Sequence, residues 1–211
     1  PGFVSVHNHL YSAVVRSLPY GGPEEETDST FISWIERFWF EYLEDRVTEE
    51  QLYAGTLVNC LDNIRSGITT TADTVEGTRA LPGVLDAVDQ AMLESGIRGL
   101  VGYEIIGRLG EKVEQLGLEE NIKFFEKTKN RNNRVEGVFN VHTTFTCSTE
   151  LLQAVAREAR QRGARRIQMH CCDDYWHSFD TTRRFGKRSA KYLEDIGFLG
   201  PDVLLAHCAY M

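Results

Sequence analysis

Ser66-Gly67-Ile68-Thr69-Thr70-Thr71-Ala72-Asp73 is the stretch whose reading decides the fold. A glycine suited to the left-handed end of a helix is followed at once by a β-branched run. Upstream, residues Glu49–Arg65 have helical character. They open on Thr48-Glu49-Glu50-Gln51, which resembles a capping box. Downstream lies a second helical stretch, Leu81–Leu93. It closes on Ser95-Gly96 and leads into another apolar run, Ile97–Tyr103. The unit helix–glycine–strand therefore occurs twice in succession.

Working outward from that pair, the alternation continues along the chain. Strands are predicted at Gly2–His7, Ile68–Asp73, Ile97–Tyr103, Val135–His142, Arg166–His170 and Val203–His207. Helices are predicted at Phe31–Leu43, Glu49–Arg65, Leu81–Leu93, Glu119–Lys127, Glu150–Arg162 and Lys187–Ile196. Alternating strands and helices imply parallel strands joined by helical crossovers, an α/β fold. The strands are short and almost wholly apolar, as expected when both sheet faces are covered. The interval after the first strand is longer. Its segment from Tyr11 to Arg46 contains Gly21-Gly22-Pro23 and the acidic run Glu24–Asp28. That position suits a loop over a ligand site, and equally a solvated insertion.

The 211 residues suffice for one large domain or two small ones, and no linker divides them. A net charge of −8 argues against a nucleic-acid partner. The one basic cluster, Arg183 to Lys191, reads as a solvated helix start. No apolar run reaches the roughly 18 residues that span a bilayer. The five cysteines show no CxxC spacing. An odd, unpatterned set fits a reducing compartment, and the expectation is a cytoplasmic protein. The opening Pro1-Gly2, with no initiator Met, hints at a cut boundary.

Five of the six histidines fall at predicted strand ends: His7 and His9, His142, His170 and His207. In a (β/α)8 barrel the C-terminal strand ends converge on one mouth. His7 and His9, two residues apart on a strand, point to the same side and suit one cation such as Zn, Fe or Ni. Asp173 follows His170 by three residues, with Asp174 beside it as a rival. A carboxylate there suits proton transfer to and from a metal-activated water.

These residues resemble a known family. Pro1-Gly2-Phe3-Val4-Ser5-Val6-His7-Asn8-His9 resembles the first strand of the amidohydrolase superfamily, and Ser66–Asp73 its second-strand motif. His142-Thr143-Thr144-Phe145-Thr146-Cys147-Ser148 is similar to the fourth-strand segment. Ile167–His170 and Leu204–Cys208 resemble the fifth and sixth strands. The branch resembled is that of chlorohydrolases and aminohydrolases: triazine hydrolases, guanine-type and adenosine-type deaminases, and SsnA-like proteins. Tyr103-Glu104 and the stretches from Phe185 to Ser189 and Leu199 to Pro201 point toward the last.

The resemblance implies a metal-dependent hydrolase built on a (β/α)8 TIM-like barrel. This chain would hold about its first six βα units, as one partial barrel domain over residues 1–211. The flanking β-sandwich and last two units would be absent. It implies His7, His9 and His170 as ligands of one divalent metal ion, zinc ahead of iron. Asp173 and His207 would be catalytic, and His142 would contact substrate. Asp173 stands where such deaminases usually carry Glu, one methylene longer. The implied reaction is hydrolysis of C–N bonds other than peptide bonds, on a small cyclic nitrogen-rich molecule. The alternative is a catalytically incompetent barrel fragment acting as a binding module. A small-molecule substrate is thus expected, with neither nucleic acid nor membrane as partner, and a homo-oligomer is left open.

Overall fold

Seven strand segments form one all-parallel sheet in a computed structural model that describes residues 1–17, 30–131 and 134–211. They are β1 (Phe3–Ser5), β2 (Ile68–Val75), β3 (Arg98–Ile105), β4 (Val135–Gly137), β5 (Phe139–Val141), β6 (Ile167–Cys171) and β7 (Val203–His207). Their spatial order is β1-β2-β3-β5-β6-β7, with β4 also paired to β3. Spatial order therefore follows chain order without reversal. Right-handed crossovers in such a series put every helix on the same face. The sheet then covers its other face by curling, as in a barrel, rather than staying open as in a doubly wound sheet. The result is a parallel half-barrel: the strand–helix alternation predicts its parallel α/β sheet, and the family resemblance implies the barrel.

The fourth predicted strand, Val135–His142, is broken at Val138 into β4 and β5. A side chain enters the ladder there. The Asn121 amide, wholly buried, accepts from the Tyr103 N–H at 2.7 Å and donates to the Tyr103 carbonyl at 2.8 Å. Asn121 thus takes over hydrogen bonds that the neighbouring strand would otherwise make. Gly102 permits the close approach beside it. A Cβ at Gly102 would lie 2.6 Å from the Val138 carbonyl oxygen.

The helices are α1 (Phe31–Trp34), α2 (Glu49–Arg65), α3 (Val84–Ser95), α4 (Glu111–Thr128), α5 (Thr149–Gln161), α6 (Tyr175–Phe185) and α7 (Ser189–Asp195). The α2 capping box is present, Thr48 Oγ1 accepting from Gln51 N and Gln51 Oε1 from Thr48 N. Gly67 and Gly96 both take positive φ, as their place after a helix requires. No helix among the described residues is long and apolar enough to cross a membrane.

Several boundaries differ from the sequence reading. The predicted helix Phe31–Leu43 is α-helical only to Trp34 and continues as a π-helix, Ile35–Glu44. The helix expected from Glu119 starts at Glu111. An additional helix, α6, lies between the fifth and sixth predicted strands. The basic cluster Arg183–Lys191 accordingly spans the α6 end, its Gly186 cap and the start of α7, rather than one helix start. Gly21-Gly22-Pro23 and Glu24–Asp28 lie outside the described residues.

Candidate metal centre

The first predicted strand extends to His7, but β1 ends at Ser5. His7 and His9 therefore leave the sheet on the segment after it, and strand alternation does not explain their pairing. What places that segment is the neighbouring strand end: Thr74 N donates to Asn8 O at 2.9 Å, and Leu10 N to the buried Asp73 carboxylate at 2.8 Å. His170 lies on β6, His142 directly follows β5, and His207 ends β7.

The five imidazoles meet at the mouth of the half-barrel. Ring centroids of His7 lie 5.0, 4.8 and 4.9 Å from those of His9, His170 and His207. His142 is 5.3 Å from His170. Ring nitrogens of His7, His9 and His170 all fall within 4.8 Å of one another. His9 Nε2 and His170 Nε2 stand 3.1 Å apart. Two nitrogens bound to one ion at about 2.0–2.1 Å sit about 2.9–3.4 Å apart. A shared proton also suits that separation, so the third converging nitrogen, on His7, is what makes the set a fit for a divalent cation.

The electrostatics favour the ligand form of these rings. Burial, then the neighbouring His170 and His207, lowers the His7 pKa to about 3. Burial likewise holds His9 and His142 well below the ordinary imidazole value. Neutral imidazole is the form that binds metal. His170 goes the other way: burial depresses it, but the Glu104 carboxylate outweighs burial and its pKa rises. Glu104 Oε1 lies 2.7 Å from His170 Nδ1, a close ionic contact that falls short of a well-directed hydrogen bond.

Around this centre lies a cavity of about 540 Å³. All six residues predicted for the site line it: His7, His9, His142, His170, Asp173 and His207. The π-helix adds Ile35, Trp39 and Glu44, with Phe31 and Trp34 of α1 beside them. The two aspartates differ in their hydrogen bonds. Asp174 caps α6, accepting from Trp176 N at 2.8 Å. Asp173 Oδ1 accepts from Asp174 N and lies 2.6 Å from His177 Nδ1. Burial raises the Asp173 pKa, but His177, together with His170 and His207, holds the carboxyl below its usual value.

Four residues escaped the sequence reading. His177 looked unrelated because α6 was not foreseen. Glu44 and Trp39 lie on the π-helix, whose register no helical periodicity reveals. Glu104 had a signal: a carboxylate near the C-terminal end of an otherwise apolar strand.

The sequence profile of the Amidohydrolase family matches residues 1–211. The chain is 30% identical over 212 residues to the 5-methylthioadenosine/S-adenosylhomocysteine deaminase 2 of Archaeoglobus fulgidus, covering 100% of this chain and 47% of the relative. The chain spans about half the length of the curated relatives it matches. The fold superposes on a guanine deaminase from C. acetobutylicum with bound guanine at a TM-score of 0.81 and 16% identity, covering 100% of this chain and 49% of that one. It superposes on the zinc-complexed atrazine chlorohydrolase from Arthrobacter aurescens TC1 at 0.79 and 19%, over 100% and 49%. With the profile matched from end to end and the histidines gathered at the mouth of a parallel half-barrel, the chain belongs to the amidohydrolase family.

Proposed function

We propose that residues 1–211 form one partial barrel domain of a metal-dependent hydrolase that deaminates or otherwise opens C–N bonds in a small cyclic, nitrogen-rich substrate. The observation that carries this reading is the convergence of three ligand nitrogens, from His7, His9 and His170, on the cavity that Asp173 and His207 also line. The relatives named as deaminases, and the zinc in the chlorohydrolase, support it.

His7, His9 and His170 hold one divalent ion, zinc ahead of iron because an imidazole-rich set suits it and needs no redox change. When bound, such an ion supplies Lewis-acid activation of water near neutral pH. The rest of the chemistry belongs to the chain. Asp173 Oδ1 is committed to His177 and Asp174, leaving Oδ2 to take the proton of the attacking water and deliver it to the departing nitrogen. His207 orients that water from the β7 side. His142, with Nδ1 at 2.7 Å from Thr146 Oγ1, presents Nε2 to the substrate ring or leaving group. Phe31, Trp34 and Trp39 offer an aromatic wall for a planar ring.

Ammonia release from purines, pyrimidines, triazines and cyclic ureas, measured on the metal-loaded protein beside His7→Ala, tests this. Turnover with at least one of these ring systems, lost with the metal in the variant, is the expected result. Bound metal without turnover on any of them overturns the reading.

A further inference from the structure

Behind the histidines lies a second group of donors that the proposed chemistry leaves unused. Glu44 ends the π-helix, Glu76 follows β2 and Glu104 lies on β3. All three are almost wholly buried, and one carboxylate oxygen from each lies within 4.8 Å of the other two. Among the described residues none of these carboxylate oxygens has a partner in good hydrogen-bond geometry. His170 meets Glu104, and Arg108 is the guanidinium closest to the other two, but its hydrogen bonds go to Asp45. Its guanidinium binds Asp45 at 2.6 and 3.0 Å and stands back at 3.5 Å from Glu44 and 3.9 Å from Glu76.

The Tyr103 hydroxyl is also buried and without a hydrogen-bond partner among the described residues, and burial together with these three carboxylates raises its pKa well above the usual value. Buried carboxylates without donors cost several kcal/mol each unless a cation or a proton compensates them. Three atoms no more than 4.8 Å apart share a point roughly 2.8 Å or less from each, close to the roughly 2.3–2.6 Å of calcium–oxygen bonds.

We propose that Glu44, Glu76 and Glu104 form a second, oxygen-only cation site that takes a hard divalent ion such as Mn2+, Mg2+ or Ca2+. Its donors differ in kind from the imidazoles, so the two sites select different metals. Glu104 joins them, since its Oε1 also touches His170. Without an ion Glu44 and Glu76 hold protons more readily: burial, aided by Glu104, pushes Glu44 up to about 7 against the opposing pull of Glu76, Arg108 and Trp39, and burial with Glu44 pushes Glu76 well above the usual carboxylate range. Binding therefore expels protons as it fills the site.

The test is a Mn2+ titration of the zinc-loaded chain at pH 8, read by electron paramagnetic resonance, with zinc counted by elemental analysis. Glu76→Gln is the decisive variant, because Glu76 is outside the histidine ligand set. The expected result is one Mn2+ per chain beside the zinc, with affinity falling at least about tenfold in Glu76→Gln. Zinc content should be unchanged, which shows that the variant folds. Glu76→Asp, which keeps the charge, should retain part of the affinity. A wild-type chain that takes no Mn2+ beyond the histidine site, or a Glu76→Gln variant that binds Mn2+ as tightly as wild type, overturns the proposal. So does an infrared band for protonated carboxyl groups that persists at saturating Mn2+.

Discussion

Glu104 Oε1 stands 2.7 Å from His170 Nδ1, and both side chains are almost wholly shut off from solvent. A ligand imidazole held at one nitrogen by a carboxylate presents the other in a fixed tautomer and direction. Replacing Glu104 by Gln keeps the shape and removes the charge. Metal affinity at the histidine site should fall about 10–100-fold. Chelator competition followed by elemental analysis measures it, and an unchanged affinity would mean that His170 is oriented by packing alone.

The Asp173–His177 contact at 2.6 Å should set the acid side of the pH–rate profile. Burial, the largest single influence, raises the Asp173 pKa, and the His177 hydrogen bond and charge, joined by His170 and His207, bring it below its usual value. In His177→Asn that pull is weakened, so the Asp173 carboxyl stays protonated to higher pH. The acid limb of kcat against pH should move upward. A limb that does not move would assign it to another group.

Asp173 itself should matter to turnover and not to metal. Asp173→Asn is expected to lower kcat by about 10²–10⁴-fold while leaving metal content at the wild-type level. A comparable loss in Asp174→Asn, without loss of folding, would contradict the division of roles, since Asp174 is engaged as the cap of α6.

Gly55 on α2 packs against the 3₁₀ turn Leu10–Val15, which follows His9. A Cβ there would lie 2.6 Å from the Tyr11 carbonyl oxygen and 2.9 Å from Val14 Cγ1. Gly55→Ala should cost about 1–3 kcal/mol through overpacking. It should also weaken metal binding, because the turn that gives way carries the segment bearing His9. Chemical denaturation and metal content together check this.

Thr48→Ala removes one half of the α2 capping box. The expected loss is about 1 kcal/mol of stability. Metal affinity should be unaffected, because the cap is exposed and lies away from the cavity. A fall in metal affinity would show that α2 stability and the site are coupled.

Local chemistry in the sequence determined the architecture. Glycine stops after helices, β-branched strands and the Thr48–Gln51 cap each act over a few residues, so the α/β alternation was legible before any coordinates. Histidines at or just beyond strand ends also announced the candidate metal site, since parallel strands carry their C-terminal ends to one place whatever the packing details. Tertiary structure alone decided which oxygens and nitrogens those histidines meet. Glu104 meets His170 across strands 66 residues apart in sequence, and Glu44 arrives on a π-helix whose wider turn rotates side chains away from the α-helical register. Asn121 breaks the fourth strand from a different element. Such contacts depend on how strands and helices sit against one another in three dimensions, which no short-range pattern encodes.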